Sequence, residues 1–536
     1  MTQPRYHYSL REILLNNGNP LRLNRLTVLV GPNNSGKSRI LKEIAAYATL
    51  RRPPKGIVVN SITVNYPSTF EELQRAYDIA HHPHGEGHFM LRSLRPDLSQ
   101  EHTISINQIN HDALKSLFNE KRTPRELAPM FAEHFGHALI AFLTTENRLQ
   151  IVRQGSSQSN PREAASLLQM LYRSGSDAER YVRSVAKMAF GKEVALDFTV
   201  PQRLLLRVGE DFSAIPPDPR DALPRMSEYE YLDDQGDGIR SFVGIAIALL
   251  VLNRGLFLID EPEAFLHPPQ AFRMGTLIAE QVNNSRQFII ATHSVDVLKG
   301  ILSRTSDVNI VRVDRAKNVN LFNHLDADRL TRIINDPLLT SSRVLDGLFY
   351  SGAVVVEADS DARFYQAASM RRTKRLDLHF VNADNKQTVS RIVRLYRDMG
   401  VRAAGIVDFD LLNDRTDFEK SLRDLGLSTD EAQTLLDIQR KIGEAAKASP
   451  AEERLNAIRT QVTKISATLD ASEKHQFPSI AEEQKEKNEL LRQLESRFRE
   501  LAEATKAWKI LKRDGRAALS QELQADFDRL QTICAC

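Results

Sequence analysis

Cysteine is nearly absent from this chain of 536 residues: the two present, Cys534 and Cys536, stand at its far end. That placement offers no disulfide framework, and a reducing, cytoplasmic compartment is the expectation. Long hydrophobic runs are missing too. No apolar stretch approaches about 18 residues, and Arg5, His7 and Arg11 interrupt the start, so neither a membrane span nor a signal peptide is expected. Charge of one sign is also scarce. The 72 Lys and Arg against 69 Asp and Glu leave +3, too little to demand a nucleic-acid partner but compatible with a local basic groove. What remains, 42% hydrophobic and 26% charged residues, is ordinary globular composition, with length for roughly two to four domains.

One run carries the strongest signal. Gly31-Pro32-Asn33-Asn34-Ser35-Gly36-Lys37-Ser38 satisfies the phosphate-loop pattern G-x-x-x-x-G-K-[ST]. The apolar segment Leu26–Val30 runs into it as a strand, and Arg39–Ile44 leaves it as a helix. Backbone N–H groups of Gly31, Asn33, Asn34, Ser35 and Gly36 would close around phosphates, aided by the positive end of the helix. Lys37 would reach the β- and γ-phosphates, and the Ser38 hydroxyl would hold Mg²⁺. ATP is the expected ligand.

Residues 256–263 read Leu-Phe-Leu-Ile-Asp-Glu-Pro-Glu, a buried parallel strand that ends in acids where α/β sheets place their ligands. Asp260 would hold Mg²⁺ through water, and Glu261 would polarise the attacking water. A second apolar strand, from Gln287, ends at Thr292-His293-Ser294, where His293 would sense the γ-phosphate. These motifs resemble the ABC-type ATPases, in particular their SMC-like branch, in which Asp-Glu-Pro-Glu, a following Leu-His-Pro (Leu266 to Pro268) and Ala-Thr-His-Ser recur in this order. The resemblance implies a glycine-bearing signature before the Asp-Glu strand, met by Gly236 and Gly238 ahead of an apolar helix from Phe242 to Leu252. It also implies that this anion nest caps ATP on a second subunit, giving a head-to-head homodimer. The stretch from about 50 to 225 carries no motif that can be placed, and His81–His88 reads as a surface loop rather than a metal site.

A second acidic pattern follows. Ala353–Val356 is a strand ending in Glu357, with a turn over 358–361 and a helix from Ala362 to Met370; Ala404–Val407 is another strand, ending in Asp408-Phe409-Asp410. Three carboxylates gathered at one sheet edge repel unless a divalent cation sits among them, so Mg²⁺ or Mn²⁺ is expected at Glu357, Asp408 and Asp410. Such a site activates water on a phosphodiester. The arrangement resembles a Toprim domain, with Asn382–Lys386 as its polar loop and Lys386 on a phosphate. An SMC-like ATPase followed by Toprim resembles the overcoming-lysogenisation-defect (OLD) nucleases and the Gabija- and Septu-type antiphage ATPases, with a weaker echo over Trp508–Gly515.

The expected architecture is therefore α/β: an ABC-type ATPase head over 1–340, then a Rossmann-like Toprim domain over 341–536. A helical coiled-coil hairpin is inserted at about 425–505. Its seam would run through Leu455, Ile458, Val462, Ile465 and Leu469, and return through Leu491, Leu494, Phe498 and Leu501. The reading is an ATP-regulated, metal-dependent DNA endonuclease of antiviral defence, with DNA as a partner and a homodimer or higher homo-oligomer. Its rival is an ATPase sensor whose degenerate Toprim domain serves a companion nuclease or helicase-like protein.

Overall fold

A computed structural model describes residues 6–77, 89–98, 101–106, 118, 124–153, 155–156, 166–200, 202–316, 319–336, 343–447, 451–472, 480–504, 519–526 and 528. The run His81–His88, the segment Trp508–Gly515 and both cysteines lie outside the described residues. The chain divides into two compact units, Met1–Ser351 and Gly352–Cys536.

The first unit is built on a six-stranded sheet. Its elements are β1 (Leu26–Val30), α1 (Lys37–Thr49), β2 (Ile140–Leu143), α2 (Asn147–Gln150), α3 (Asp237–Val251) and β3 (Leu256–Asp260). They continue with α4 (Pro268–Glu280), β4 (Gln287–Ala291), α5 (Val295–Leu302), β5 (Asn309–Ala316) and β6 (Val319–Leu325). Strand order is β6-β5-β1-β4-β3-β2, with five parallel strands and β6 antiparallel at the edge. Every residue of β1, β3 and β4 is buried, which explains why they read as apolar runs broken only by Thr27, Asp260 and Gln287. Register pairs Val30 with Arg312 and Asp260 with Ala291, so the strand ends that precede the phosphate loop, Glu261 and Thr292 line up on one edge. On one face α4 and α5 approach through Gly275 and Gly300. A Cβ on Gly275 would stand 2.2 Å from the Val297 carbonyl, and one on Gly300 would stand 2.1 Å from that of Phe272.

Strand β2 lies inside the stretch where the sequence showed no motif. Only four residues long, it has neither the length nor the flanking pattern to announce itself, and pairing with β3 secures it. A ribbon of strands Glu193–Asp197 and Arg203–Gly209 leads to α3. Buried Arg207 joins Asp197 at 2.9 Å and lies 3.8 Å over the Tyr231 ring, tying the ribbon to the approach of α3. Helix α3 begins at Asp237, five residues before the expected start at Phe242, because Gly236 serves as its N-cap in extended conformation.

The second unit carries a parallel sheet ordered β8-β7-β9, from β7 (Gly352–Val356), β8 (Leu378–Asn382) and β9 (Arg402–Ile406), with helices α6 (Asp359–Thr373) and α7 (Lys386–Asp398). The central strand is largely buried, whereas β9 is an edge and half-exposed. Residues 359–361, expected as a turn, form the first turn of α6; the Asp361 carboxylate accepts the Ala358 N–H at 3.2 Å and starts the helix there.

Helices α8 (Ala451–Ser472) and α9 (Ile480–Ala504) pack on each other. The expected seam is corrected here. Ile465 is buried and Ile458 and Leu494 are half-buried, but Leu455, Val462, Leu469, Leu491 and Phe498 are exposed, and the Leu501 side chain lies outside the described residues. A two-helix contact covers only a narrow stripe, and Leu455, Val462 and Leu469 lie on the neighbouring stripe at its border, one helical step from the shielded one.

Candidate functional site

The phosphate loop owes its shape to two glycines and a clamp. Gly31 has φ +137°, and a Cβ there would stand 2.1 Å from the Val313 carbonyl of β5, so no other residue fits. Gly36, at φ +102°, caps α1, and Asn34 takes the left-handed conformation at φ +61°. The buried Asn320 amide donates to the Ser35 carbonyl at 2.6 Å. Asn33 and Asn34 are exposed at the loop tip, and the Ser35 Oγ is a buried hydroxyl with no bonding partner in the described chain.

Lys37 is buried, and its ammonium donates to the carbonyls of Gly31 at 2.7 Å and Pro32 at 2.9 Å. Burial lowers its pKa to about 8, against the pull of Glu261, Glu263 and Asp260, which raises it. Ser38 Oγ donates to Asp260 Oδ1 at 2.8 Å. Burial pushes the Asp260 carboxyl above its ordinary range, and the Ser38 bond opposes that shift. A hydroxyl and a carboxylate in contact at a sheet edge are hard oxygen donors, so these two residues fit Mg²⁺.

After Asp260 the chain turns sharply. Glu261 has φ +48° and Phe265 φ +70°, positions a non-glycine residue adopts only when its surroundings enforce them. Three bonds enforce the first. The Glu261 N–H donates to the Ala291 carbonyl at 2.8 Å, and the Arg148 guanidinium donates to the carbonyls of Asp260 at 2.9 Å and Glu261 at 2.8 Å. Arg148, on α2 just after β2, is fully buried, and burial lowers its pKa to about 10. Nothing in its sequence neighbourhood marked it, and the signal that could have found it is an arginine following a short apolar run. Helix α3 packs against α2: a Cβ on Gly244 would stand 2.6 Å from the Arg148 carbonyl, and Arg240 donates to the Leu149 carbonyl at 3.3 Å.

His293 meets both glutamates. Its Nδ1 stands 3.5 Å from Glu261 and 3.2 Å from Glu263, and its backbone N–H donates to Glu263 at 2.8 Å. Glu263, buried and raised in pKa by that burial, was not singled out in the sequence; its two contacts hold His293 in place. Thus Lys37, Ser38, Asp260, Glu261 and His293, drawn from three parallel strand ends, share one edge. Gly236 and Gly238 do not belong to that cluster. They stand at the start of α3, where Gly236 is exposed with open space around it and Gly238 lies with its Cβ position 2.7 Å from the Phe265 carbonyl. Gly236 has φ −60°, so neither glycine is there for a left-handed backbone; Gly238 is there for close approach.

A family described as "AAA domain, putative AbiEii toxin, Type IV TA system" matches residues 197–299, from the ribbon to α5. An uncharacterised protein of Methanocaldococcus jannaschii, MJECL11, is 33% identical over 76 residues, 14% of this chain and 67% of that protein. The chain belongs to one family with that archaeal protein, and it carries an AAA-family ATPase domain. Among solved structures, an SMC head bound to the winged-helix domain of ScpA matches with TM-score 0.36 and 14% identity, over 60% of this chain and 99% of that one. The SMC head domain of Thermotoga maritima matches with TM-score 0.31 and 14% identity, over 59% and 98%.

In the second unit Glu357 follows the central strand and Asp408 follows the adjacent edge strand; the Asp408 N–H donates to Glu357 Oε1 at 2.7 Å. Asp410 lies in the short helix Phe409–Asn413. Lys386 stands 3.7 Å from Asp417. Among the described residues no group of three His, Cys, Asp or Glu side chains is arranged to hold a metal ion. Nor, among them, is any helix long and apolar enough to cross a membrane.

Proposed function

We propose that this chain is an ATP-hydrolysing switch in which Glu261 orients the attacking water and His293 reads the γ-phosphate. The observation that carries the reading is the meeting of Ser38 with Asp260 at 2.8 Å beside a turn that presents Glu261 to His293. Mg²⁺ bound at Ser38 and Asp260 would supply charge neutralisation of the phosphates. Lys37 exchanges its two loop carbonyls for phosphate oxygens, and Arg148 keeps Glu261 in its strained conformation through turnover. The exposed start of α3, at Gly236, suits an anion presented by a second copy, so two ATP molecules would be held between two heads.

The output we propose is cleavage of DNA at Glu357, Asp408 and Asp410, under control of the ATP site, in cytoplasmic antiviral defence. Support comes from two carboxylates on adjacent parallel strand ends, from the resemblance to OLD-type nucleases, and from the toxin system in the matched family's description. Their oxygens fit Mg²⁺ or Mn²⁺. A plasmid-nicking assay of the purified chain, with each metal and with and without ATP, tests it: metal-dependent nicks are expected, and an inert chain overturns the nuclease reading. One observation favours the sensor alternative, in which a companion nuclease cuts: Glu357 already spends a carboxylate oxygen on the Asp408 backbone. Protection of cells only when a neighbouring nuclease gene is present would decide for it.

A further inference from the structure

The hairpin of α8 and α9 is amphipathic as a pair. Ile458, Gln461, Ile465 and Thr468 on one helix and Leu490, Leu494 and Arg497 on the other are the shielded positions, spaced three and four apart. With these at a and d of a heptad, Leu455, Val462 and Leu469 all fall at e, as do Leu491 and Phe498. In two antiparallel helices the e positions border the same side of the seam and the g positions the other. The g side is polar, with exposed Lys464 and Gln493. The e side bears five large apolar side chains that are 43–57% exposed. Val462 and Leu491 stand at matching distances from the connection between the helices, as do Leu455 and Phe498, so they form two apolar layers about 10 Å apart.

We propose that this face docks the same face of a second copy, making an antiparallel four-helix bundle independent of nucleotide. The occupant follows from charge. Exposed Arg459 and Glu495 border the apolar stripe on opposite outer edges, both between the two layers. A two-fold axis parallel to the hairpin lays α8 of one copy over α9 of the other without shifting either along its length. Arg459 then meets the partner's Glu495, twice, while the Leu455 and Val462 layers meet the partner's Phe498 and Leu491. A two-fold axis across the hairpin would instead set Arg459 against the same arginine. The segments Ala451–Ser472 and Ile480–Ala504 hold 8 basic and 10 acidic residues, a net −2, which disfavours nucleic acid as the occupant.

Sedimentation velocity of the full chain carrying Lys37→Ala, without nucleotide and at micromolar concentration, separates this contact from any ATP-driven pairing of the heads. A dimer is expected. Val462→Glu with Leu491→Glu, which sets like charges against each other across the interface, should give a monomer of unchanged helicity, since both sites are exposed. Arg459→Glu should weaken the dimer about tenfold, and adding Glu495→Arg should restore it. A monomeric Lys37→Ala chain overturns the proposal, as does a dimer indifferent to the stripe variants or a charge swap that fails to rescue. None of these outcomes depends on ATP turnover or DNA cleavage, so this proposal and the functional one fail separately.

Discussion

Two sheets in this chain deliver carboxylates from the ends of parallel strands, and they brace them in opposite ways. In the first unit Asp260 and Glu263 are buried, the backbone at Glu261 is strained, and a fully buried arginine bonds the two carbonyls of the turn. In the second, Asp408 is exposed, Glu357 is half-buried, and one backbone bond joins them. Buried charges interact strongly and cost little reorganisation when a substrate arrives, which suits a site of the ATPase type. Exposed carboxylates stay hydrated and adjustable. The contrast predicts that the first site fails through geometry and the second through loss of ligands.

The largest effect tests the phosphate loop itself. Lys37→Ala should weaken nucleotide binding by about a thousandfold or more, read by fluorescent-nucleotide titration, because the β- and γ-phosphates lose their fixed cation. Unchanged affinity would remove the assignment. Glu261→Gln should bind ATP normally and hydrolyse it about a hundred- to a thousandfold more slowly, a difference single-turnover kinetics would show.

Asp408→Ala should abolish any metal-dependent nicking while ATP turnover continues, and loss of both together would contradict the picture of two separately braced sites. Arg148→Lys keeps the charge but cannot bridge two carbonyls. It should lower kcat about ten- to a hundredfold with nucleotide affinity preserved; a parallel loss of affinity, or no change in either, would show that the arginine does not hold Glu261.

The smallest effect is in pH. The Lys37 pKa is lowered to about 8 in the free site, so below that value the ammonium is present and above it must be regained from solvent. Bound phosphate favours the charged form, so affinity should fall by up to about tenfold per pH unit above pH 8, with proton uptake on binding. Calorimetry in buffers of different ionisation enthalpy measures that uptake. Flat affinity from pH 7 to 10 would mean that the charge of Lys37 does not matter to binding.

The elements legible in the sequence were those whose information is continuous. Five consecutive buried residues make β1, β3 and β4 plain, and each is followed at once by its chemistry, at Gly31, Glu261 and Thr292. Strand β2 was illegible because four residues carry no period. The hairpin was half legible: its spacing marked two helices, but periodicity cannot say which of two adjacent stripes faces the other helix. At the start of α3, the glycines were visible and their reason was not, since the close approach of Gly238 to Phe265 involves two segments whose contact is not written in either.

By itself the sequence determined the phosphate loop and the acidic strand ends, because a helix start with consecutive N–H groups and a strand with carboxylates at its end are local objects. Tertiary structure alone decided how they are braced. Arg148 stands 112 residues from the Asp260 carbonyl it bonds, and Asn320 stands 285 residues from the Ser35 carbonyl it holds. A buried donor is useful only where folding has already brought an acceptor within about 3 Å and removed the water, and no local pattern encodes that meeting.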